Sequence, residues 1–191
     1  MREGRVSRKT KETDLAVLFR PDGGDISIDT GIGFFDHLLT SFAFHGGFGL
    51  SLTARGDLHV DGHHTAEDAG LALGEAFRLA LGDRAGIARF GERRIPMDEA
   101  LACCAVDVSG RPYLVYRAAF IEERVGTFDV CLAEEFFRAF SQEARVTLHL
   151  EVPYGKNAHH MLEGLFKACG MALSDAVRVT GTAIPSTKGV L

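Results

Sequence analysis

Two short histidine–carboxylate motifs are the clearest sign of chemistry in this sequence. Each follows the pattern HHxxE, once as His63-His64-Thr65-Ala66-Glu67 and again as His159-His160-Met161-Leu162-Glu163. Imidazole and carboxylate groups together suit divalent transition-metal ions. The chain has only 8 histidines, so a second copy of the same spacing is hard to attribute to chance. Paired histidines can also cap helices or lie in polar pockets, but the duplication favours metal binding.

The spacing within each motif indicates how the ligands are divided. On a helix, the first histidine and the glutamate lie four residues apart and share a face, so they can hold one ion. The second histidine points about 100° away and can serve a different ion. Mixed ligands without thiolate suit Mn²⁺, Fe²⁺ or Zn²⁺, and a high coordination number favours Mn²⁺. A first division places His63, Glu67 and His160 around one ion, and His64, His159 and Glu163 around the other.

The two motifs belong to a longer internal repeat. They lie 96 residues apart in a chain of 191 residues, which is half its length. Upstream, residues 50–52 fall on residues 146–148, and both segments have the alternation of a strand. With a two-residue shift, residues 35–39 fall on residues 133–137, and both have helical periodicity. This alignment pairs His37 with Glu135 and predicts one further ligand for each ion.

The elements that must position these ligands follow the same repeat. Each half is predicted to contain a helix, a strand, a turn, the HHxxE motif and a long amphipathic helix, the last over 64–81 and 160–177. Further strands are predicted over 15–19, 26–28, 101–108 and 113–120. Helices and strands in mixed order indicate an α+β fold. We predict a single domain built from two similar two-layer sheet/helix halves, about 1–95 and 96–191.

Composition excludes several other classes of protein. The chain is 46% hydrophobic and 25% charged, which is typical of a globular domain. Its net charge of −5 argues against nucleic-acid and anionic-membrane partners. No apolar run approaches the roughly 20 residues of a membrane helix, and no secretory signal is evident at the start. We therefore expect a soluble, cytoplasmic protein. The four cysteines lack CxxC spacing and predict neither disulfides nor a thiolate metal site.

A second group of residues has the character of an anion site. Residues 184–189, IPSTKG, combine hydroxyls, backbone N–H groups and a lysine, as a phosphate needs. Arg89, Arg111 and Lys167 are candidates to join them, although isolated basic residues are more often surface charge. Among the remaining histidines, His59 and His149 are predicted to lie in strands as structural residues. His45 precedes two glycines at a predicted helix end, where the dipole favours a cation.

Together, these motifs resemble the imidazoleglycerol-phosphate dehydratase family of histidine biosynthesis. The resemblance extends over nearly the whole chain. The matching stretches are RKTKET (8–13), GIGFFDHLL (31–39), HG (45–46), DGHHTAED (61–68), ARFG (88–91), PMDEAL (96–101), SGRPY (109–113), HHMLEGLFKA (159–168) and PSTKG (185–189). Such a combination is specific to this family.

The resemblance implies a manganese-dependent lyase of duplicated α+β fold with two Mn²⁺ ions per active site. Members assemble into large cubic shells, so a 24-mer is implied, with active sites where subunits meet and ligands from neighbouring chains. The implied metal ligands are His37, His63, His64, Glu67, His159, His160 and Glu163. The residues that match substrate-holding positions, chiefly for its phosphate, are Arg89, Arg111, Lys167, Ser186 and Lys188. We predict that His37, His45 and Thr187 also contact the substrate. Glu12 matches the acidic residue placed over the reacting carbons.

The sequence departs from the family pattern in two places. Many members have histidine where this chain has Glu135, in the pattern EHFF rather than EEFF. A carboxylate can still bind Mn²⁺, and the internal repeat independently pairs this position with His37, so Glu135 stays a predicted ligand. It makes its site more negative and harder in character. Gly49 stands where an aspartate is common, which is a change at a strand entry.

The family reaction explains why two sites are needed. Imidazole glycerol phosphate loses water to give imidazole acetol phosphate, and the substrate has no carbonyl to acidify the departing proton. An imidazolate ring bridged by two metal ions, one on each nitrogen, can expel the neighbouring hydroxyl and give a diazafulvene. A base then removes the carbon proton, and an enol collapses to the ketone. We assign this acid/base role to Glu12.

Two other interpretations of the ligands remain open. A dinuclear metallohydrolase acting on a phosphorylated small molecule would use the same ions. However, neither HHxxE core contains the aspartate that often bridges such ions. A non-catalytic, metal-nucleated assembly module would use the histidines to join subunits, but it leaves Glu12 and the PSTKG segment unexplained.

Overall fold

A computed structural model describes residues 2–189 and 191. Its strands are β1 Gly4–Lys9, β2 Thr13–Arg20, β3 Ile26–Asp29, β4 Gly49–Gly56, β5 Phe90–Met97, β6 Ala100–Asp107, β7 Tyr113–Arg117, β8 Arg124–Val125, β9 Phe128–Asp129 and β10 Thr147–Tyr154. Its helices are α1 Gly33–Gly46, α2 His63–Leu81, α3 Leu132–Ala144 and α4 Ala158–Val177. The predicted α+β class is therefore confirmed.

The two four-stranded sheets have the same topology. The first has the order β1-β2-β4-β3 and the second has the order β5-β6-β10-β7. In each sheet, three strands are antiparallel and the fourth, β3 or β7, runs parallel to its neighbour. The predicted internal duplication is thus a duplication of topology. β5 spans the predicted division near residue 95 and belongs to the second sheet.

The helices lie between the two sheets. Helices α1 and α2 pack on the first sheet, and α3 and α4 pack on the second. Across the middle, α1 packs against α4 and α2 packs against α3. Glycines allow this close approach, because a Cβ on Gly74 would lie 2.6 Å from the Phe140 carbonyl oxygen. The repeat-related Gly170 would place its Cβ 2.2 Å from the Phe42 carbonyl oxygen. Each half therefore contributes a helix to each of the two central helix pairs.

The core fills the space between the sheets and helices with aromatic and aliphatic side chains. Ten phenylalanines have less than 2% of their surface exposed, and several of them contact rings of the other half. Phe136 lies parallel to Phe166, with ring centroids 5.4 Å apart, and meets Phe35 edge-on at 5.4 Å. Burial of such rings stabilises the helix pairs that carry the motifs. Among the described residues, no helix is both long and apolar enough to cross a membrane.

The structure differs from the sequence-based prediction in several elements. Strands β1, β5, β8 and β9 were not predicted, and the strand predicted over 113–120 ends at Arg117. The predicted strands 101–108 and 113–120 are not neighbours, because β10 lies between β6 and β7. His149 lies in β10 as predicted. His59 lies in the turn that joins β4 to α2 and not in a strand, because β4 ends at Gly56.

Candidate metal and anion sites

One group of predicted ligands converges within a single chain. The Nε2 atoms of His37 and His159 lie 3.0 Å and 3.1 Å from the same oxygen, Oε2 of Glu163. Within the described part of the chain, these three residues form the one group whose ligand atoms all lie within 4.8 Å of one another. Two imidazoles and a carboxylate at this spacing can surround a divalent ion. We call these three residues the His37 group.

Two helices position the His37 group. His37 lies on α1, while His159 and Glu163 lie one turn apart at the start of α4. The side chain of Asn157 caps α4 by accepting hydrogen bonds from the backbone N–H groups of His159 and His160, at 2.9 Å and 3.4 Å. The packing of α1 against α4 then brings His37 to the other two ligands.

The other oxygen of Glu163 is held from the opposite side. Nζ of Lys167 lies 2.8 Å from Oε1, and the Ser41 hydroxyl donates to the same oxygen at 3.4 Å. The Glu163 side chain is only 8% exposed. Burial alone raises the pKa of Glu163, but hydrogen bonds from Lys167 and His37 outweigh it and lower the pKa to about 2. The Glu163 carboxylate is therefore ionised, with one oxygen directed at the two imidazoles.

The repeat-related ligands lie along α2 and α3 and are less converged. Nε2 of His63 lies 3.9 Å from Oε2 of Glu67, and both side chains are about half exposed. Glu135 lies on the neighbouring helix, with Oε2 3.7 Å from Nε of Arg138. A Cβ on Gly62 would lie 3.0 Å from Leu132, so the start of α2 runs beside the start of α3. We call Glu135, His63 and Glu67 the Glu135 group.

The remaining motif histidines are each held by a carboxylate through Nδ1. His64 Nδ1 lies 3.0 Å from Oδ2 of Asp57, and His160 Nδ1 lies 2.8 Å from Oε2 of Glu99. These hydrogen bonds raise the pKa of both histidines. A carboxylate on one ring nitrogen fixes the ring and leaves the other nitrogen as the ligand atom, as in many metal sites.

The division of ligands predicted from spacing is only partly reproduced within one chain. His159 and Glu163 do belong together, but their third partner is His37 on α1, and His64 lies outside the group. Likewise, His160 lies with Glu99 rather than with His63 and Glu67. The physical reason is the packing of α1 against α4, which sequence spacing alone does not reveal.

Glu12 lies near His64 and Asp57. It is exposed in the turn between β1 and β2, where its carbonyl accepts from the backbone N–H of Asp57 at 3.1 Å. Its own N–H donates to the Thr10 hydroxyl at 3.1 Å. The turn is fixed to α2, because the Thr13 hydroxyl donates to Asp68. The structure thus brings Glu12 to the start of α2 and not to the His37 group of its own chain.

The predicted anion residues form two separate groups. Arg89 donates to both oxygens of Asp107, at 2.7 Å and 3.1 Å, and to the Pro185 carbonyl at 2.9 Å. Nη2 of Arg111 lies 3.3 Å from the same Asp107, and the Lys188 N–H donates to the Ser186 hydroxyl at 3.2 Å. We call Arg89, Arg111 and residues 185–189, including Thr187, the anion group.

The other two predicted anion residues lie beside the His37 group. His45 occupies the last turn of α1, where burial and then the charge of Lys167 lower its pKa. Arg89, in contrast, lies at the C-terminal end of α4, because its backbone N–H donates to the Ala176 carbonyl at 2.7 Å. Ala176 lies thirteen residues after Glu163, so these two residues are about 20 Å apart along α4.

Several residues that contact the candidate ligands were missed by the sequence analysis. Besides Asn157 and Arg138, four carry side-chain oxygens close to a ligand side chain: Ser41, Asp57, Asp98 and Glu99. Ser41 had a detectable signal, because it lies four residues after His37 on the same helical face. The other three lie in turns and loops outside the helices, so periodicity could not connect them to a histidine.

Comparison with known proteins identifies a family for this arrangement. A family model described as Imidazoleglycerol-phosphate dehydratase matches residues 30–173. A protein of this name from Symbiobacterium thermophilum is 57% identical over 195 residues, covering 100% of this chain and 93% of its own. One from Methanosarcina mazei is 54% identical, with 100% of both chains covered.

Two solved structures are also similar. The dehydratase structure from Staphylococcus aureus has a TM-score of 0.85 and 41% identity, covering 93% of this chain and 99% of that chain. The structure from Pyrococcus furiosus, in complex with (S)-C348, has a TM-score of 0.85 and 40% identity, covering 97% and 100%. Sequence and fold therefore point to the same family.

Proposed function

From the premise that this chain belongs to the imidazoleglycerol-phosphate dehydratase family, we propose that its paired ligand groups bind two divalent metal ions, Mn²⁺ in our assignment. Membership makes the chain a hydro-lyase of histidine biosynthesis that acts on a phosphorylated imidazole substrate. What we add is the role of its own residues. The single domain of two repeated halves supplies one ligand group at each of the two central helix pairs.

The observation that carries this proposal is the convergence of the His37 group. Its three ligand atoms lie within 4.8 Å of one another, come from both halves of the chain, and include an ionised carboxylate. These donors fit a divalent ion with mixed nitrogen and oxygen ligands. When bound, the two ions supply positive charge that stabilises the imidazolate form of the substrate ring.

The active site is proposed to form between chains. The imidazole and phosphate of the substrate are separated by a short carbon chain of about 1.5 Å per bond, so the molecule spans less than about 10 Å. In one chain, Glu163 of the His37 group and Ala176, whose carbonyl accepts from the Arg89 N–H, are about 20 Å apart along α4. A neighbouring chain must therefore complete the site, which supports the large homo-oligomer, a 24-mer, implied by the family resemblance.

His64 and His160 are suited to complete the metal sites of neighbouring chains. Each is fixed through Nδ1 by a carboxylate of its own chain, and neither lies within the His37 group. Each is also partly exposed, at 35% and 25% of the side chain. We assign one of these histidines to each ion, as the fourth protein ligand.

The anion group is proposed to bind the substrate phosphate. Asp107 accepts hydrogen bonds from both Arg89 and Arg111. Arg89 also donates to the Pro185 carbonyl, so the two arginines and the PSTKG segment lie close together. Planar guanidinium groups suit phosphate oxygens, and backbone N–H groups of the segment add further donors. Lys167 and His45, beside the His37 group, contribute from the second chain at the site.

Glu12 is proposed as the acid/base that moves the proton at the reacting carbon. Its carboxylate is exposed at the start of α2, beside His64, and so accompanies that histidine to the shared site. A positioned carboxylate of this kind can transfer a proton within hydrogen-bond reach of substrate. A cytoplasmic location stays a prediction.

The deciding experiment is turnover of imidazole glycerol phosphate by metal-stripped protein, with and without added Mn²⁺. We expect the ketone product to form only when the metal is restored. Release of inorganic phosphate without ketone would instead favour a metallohydrolase. Metal-driven assembly with neither product would favour an assembly module.

A further inference from the structure

The two ligand groups are related by the internal repeat but differ in composition. The His37 group has two imidazoles and one carboxylate, whereas the Glu135 group has one imidazole and two carboxylates. Completion by one histidine from a neighbouring chain adds one imidazole to each group, so the difference remains. The pairing of Glu135 with His37 in the repeat is the origin of this asymmetry.

The geometry of the helices supports the composition of the second group. A Cβ on Gly62, next to His63, would lie 3.0 Å from Leu132 on α3. One turn after Glu67, a Cβ on Gly70 would lie 2.5 Å from the Phe136 carbonyl oxygen. The segment that carries His63 and Glu67 therefore runs beside the segment that carries Glu135.

Only the His37 group has a polar clamp behind its carboxylate. Lys167 and Ser41 both contact Oε1 of Glu163, at 2.8 Å and 3.4 Å, while Oε2 is directed at the two imidazoles. The ammonium of Lys167 balances the single carboxylate, so the group has no net charge with neutral histidines. Its carboxylate is also only 8% exposed and cannot move freely.

The corresponding positions of the Glu135 group carry apolar residues. Four residues after Glu67, where Glu163 has Lys167, stands Leu71, and the repeat pairs Ser41 with Ala139. Glu67 is 47% exposed, and its contact with His63 is long at 3.9 Å. Its partner Glu135 faces Arg138, which also pairs with Glu134. The Glu135 group therefore has two carboxylates, and among the residues that the structure describes no lysine or arginine pairs with Glu67.

We propose that the two groups differ in metal selectivity: relative to Mn²⁺, the clamped, imidazole-rich His37 group binds a borderline ion such as Zn²⁺ more strongly than the carboxylate-rich Glu135 group does. Imidazole ligands suit zinc, whereas carboxylates suit manganese, and added negative charge reinforces the second preference. This inference rests on the proposed binding of two ions and adds that they are chemically unequal.

The test is competition between metals in the intact, assembled protein. Protein loaded with two Mn²⁺ per chain is titrated with Zn²⁺, and bound metals are counted by elemental analysis after each step. The remaining Mn²⁺ is followed by electron paramagnetic resonance. We expect one Mn²⁺ per chain to leave in a first phase and the other to need at least about tenfold more Zn²⁺.

Two variants assign the phases to the two groups. E135H gives the second group the ligands of the first, so the two phases should merge into one. E134H, at the adjacent residue whose carboxylate pairs with Arg138, is the matched control and should keep both phases. K167L removes the ammonium from the His37 group and makes that group more negative. It should therefore reduce the difference in Zn²⁺ concentration between the two phases, independently of the first variant.

Several outcomes would overturn the inference. Release of both Mn²⁺ ions in one phase from the unchanged protein would show that the groups are equal. Two phases that persist unchanged in both E135H and K167L would place the asymmetry elsewhere. Binding of fewer than two ions per chain would remove the inference together with the proposed function. Ketone formation by protein whose two ions exchange equally would leave the proposed function intact.

Discussion

The turn between β1 and β2 and the turn between β5 and β6 occupy the same place in the two halves, beside the helix that carries HHxxE. Both turns carry a glutamate, Glu12 in the first and Glu99 in the second. Glu99 accepts hydrogen bonds from the N–H groups of Asn157 and Lys156, at 2.8 Å and 3.1 Å, and contacts His160. These bonds, led by that of Asn157, lower the pKa of Glu99 to about 2.

Glu12 has a different environment. Its carboxylate accepts no hydrogen bond from the residues that the structure describes, and the histidine of its half is held by Asp57 instead. One copy of the turn therefore uses its carboxylate to fix the start of α4 and a motif histidine. In the first half, Asp57 in the loop after β4 holds His64, so the Glu12 carboxylate is left available. Duplication therefore left one carboxylate without a structural task, and the proposed acid/base role falls on this copy because Asp57 holds the histidine in its place.

The largest effect is expected for the spare carboxylate. E12Q removes the proton-transfer group while keeping its size, so kcat for ketone formation should fall by about 10²–10⁴-fold with Mn²⁺ saturating. E99Q is the matched control and should keep kcat much closer to that of the unchanged enzyme once Mn²⁺ is saturating. Equal losses of kcat in E12Q and E99Q would contradict a special role for Glu12.

A second prediction concerns the contact between Arg89, near the end of the first half, and Pro185, near the end of the second half. Arg89 and Pro185 are related by the repeat and contact each other, with Nη1 of Arg89 2.9 Å from the Pro185 carbonyl oxygen. R89K keeps the charge but loses the planar donors that bind Asp107 and Pro185 together. Lost charged hydrogen bonds of this kind should raise KM by about 10–100-fold, with a smaller change in kcat.

The control for this variant is R94K, at an exposed arginine of β5. It should leave KM unchanged in steady-state assays at several substrate concentrations. A fall in kcat with constant KM in R89K would instead place Arg89 at the reacting carbons and not at the phosphate.

The elements that the sequence predicted are those with a buried face. The long helices were placed within two residues of their observed ends, since α2 begins at His63 and α4 at Ala158. The missed strands β1 and β5 are edge strands with charged residues on both faces, so they lack the apolar alternation that marks a strand. The β8–β9 hairpin is too short to have a period.

The sequence proposes the candidate ligands as a set but does not show which of them lie together in the fold. Duplicated HHxxE spacing identified the helices, and the two-residue shift added His37 and Glu135. Which histidine meets which glutamate depends on the packing of α1 against α4, a contact between residues more than a hundred positions apart. Glu99 reaches His160 from the turn between β5 and β6, and no local pattern reports that contact. Ser41, by contrast, shares a helical face with His37 and could have been found.

A third prediction compares the carboxylates that hold His64 and His160. D57N and E99Q each replace a charged acceptor by an amide while keeping the side-chain size. Loss of a carboxylate behind a metal-bound histidine typically costs about 10–100-fold in metal affinity. We expect both variants to need more Mn²⁺ for half-maximal activity, while kcat at saturating Mn²⁺ stays close to normal. H59Q, at the turn histidine outside both groups, should leave the Mn²⁺ requirement unchanged.

The smallest effect on activity is expected for the glycines at the central helix pairs. G170A would drive a methyl group to 2.2 Å from the Phe42 carbonyl oxygen, and G74A to 2.6 Å from the Phe140 carbonyl oxygen, so backbone must move in either case. Overpacking of this kind costs about 1–3 kcal/mol of unfolding free energy. G170A should be the more destabilised of the two in denaturant unfolding, because its contact is closer. G33A, with open space at the start of α1, is the control and should unfold normally. If G74A and G170A were both as stable as G33A, the helix pairs could separate without cost, and the convergence of His37 with His159 and Glu163 would need a cause other than this close packing.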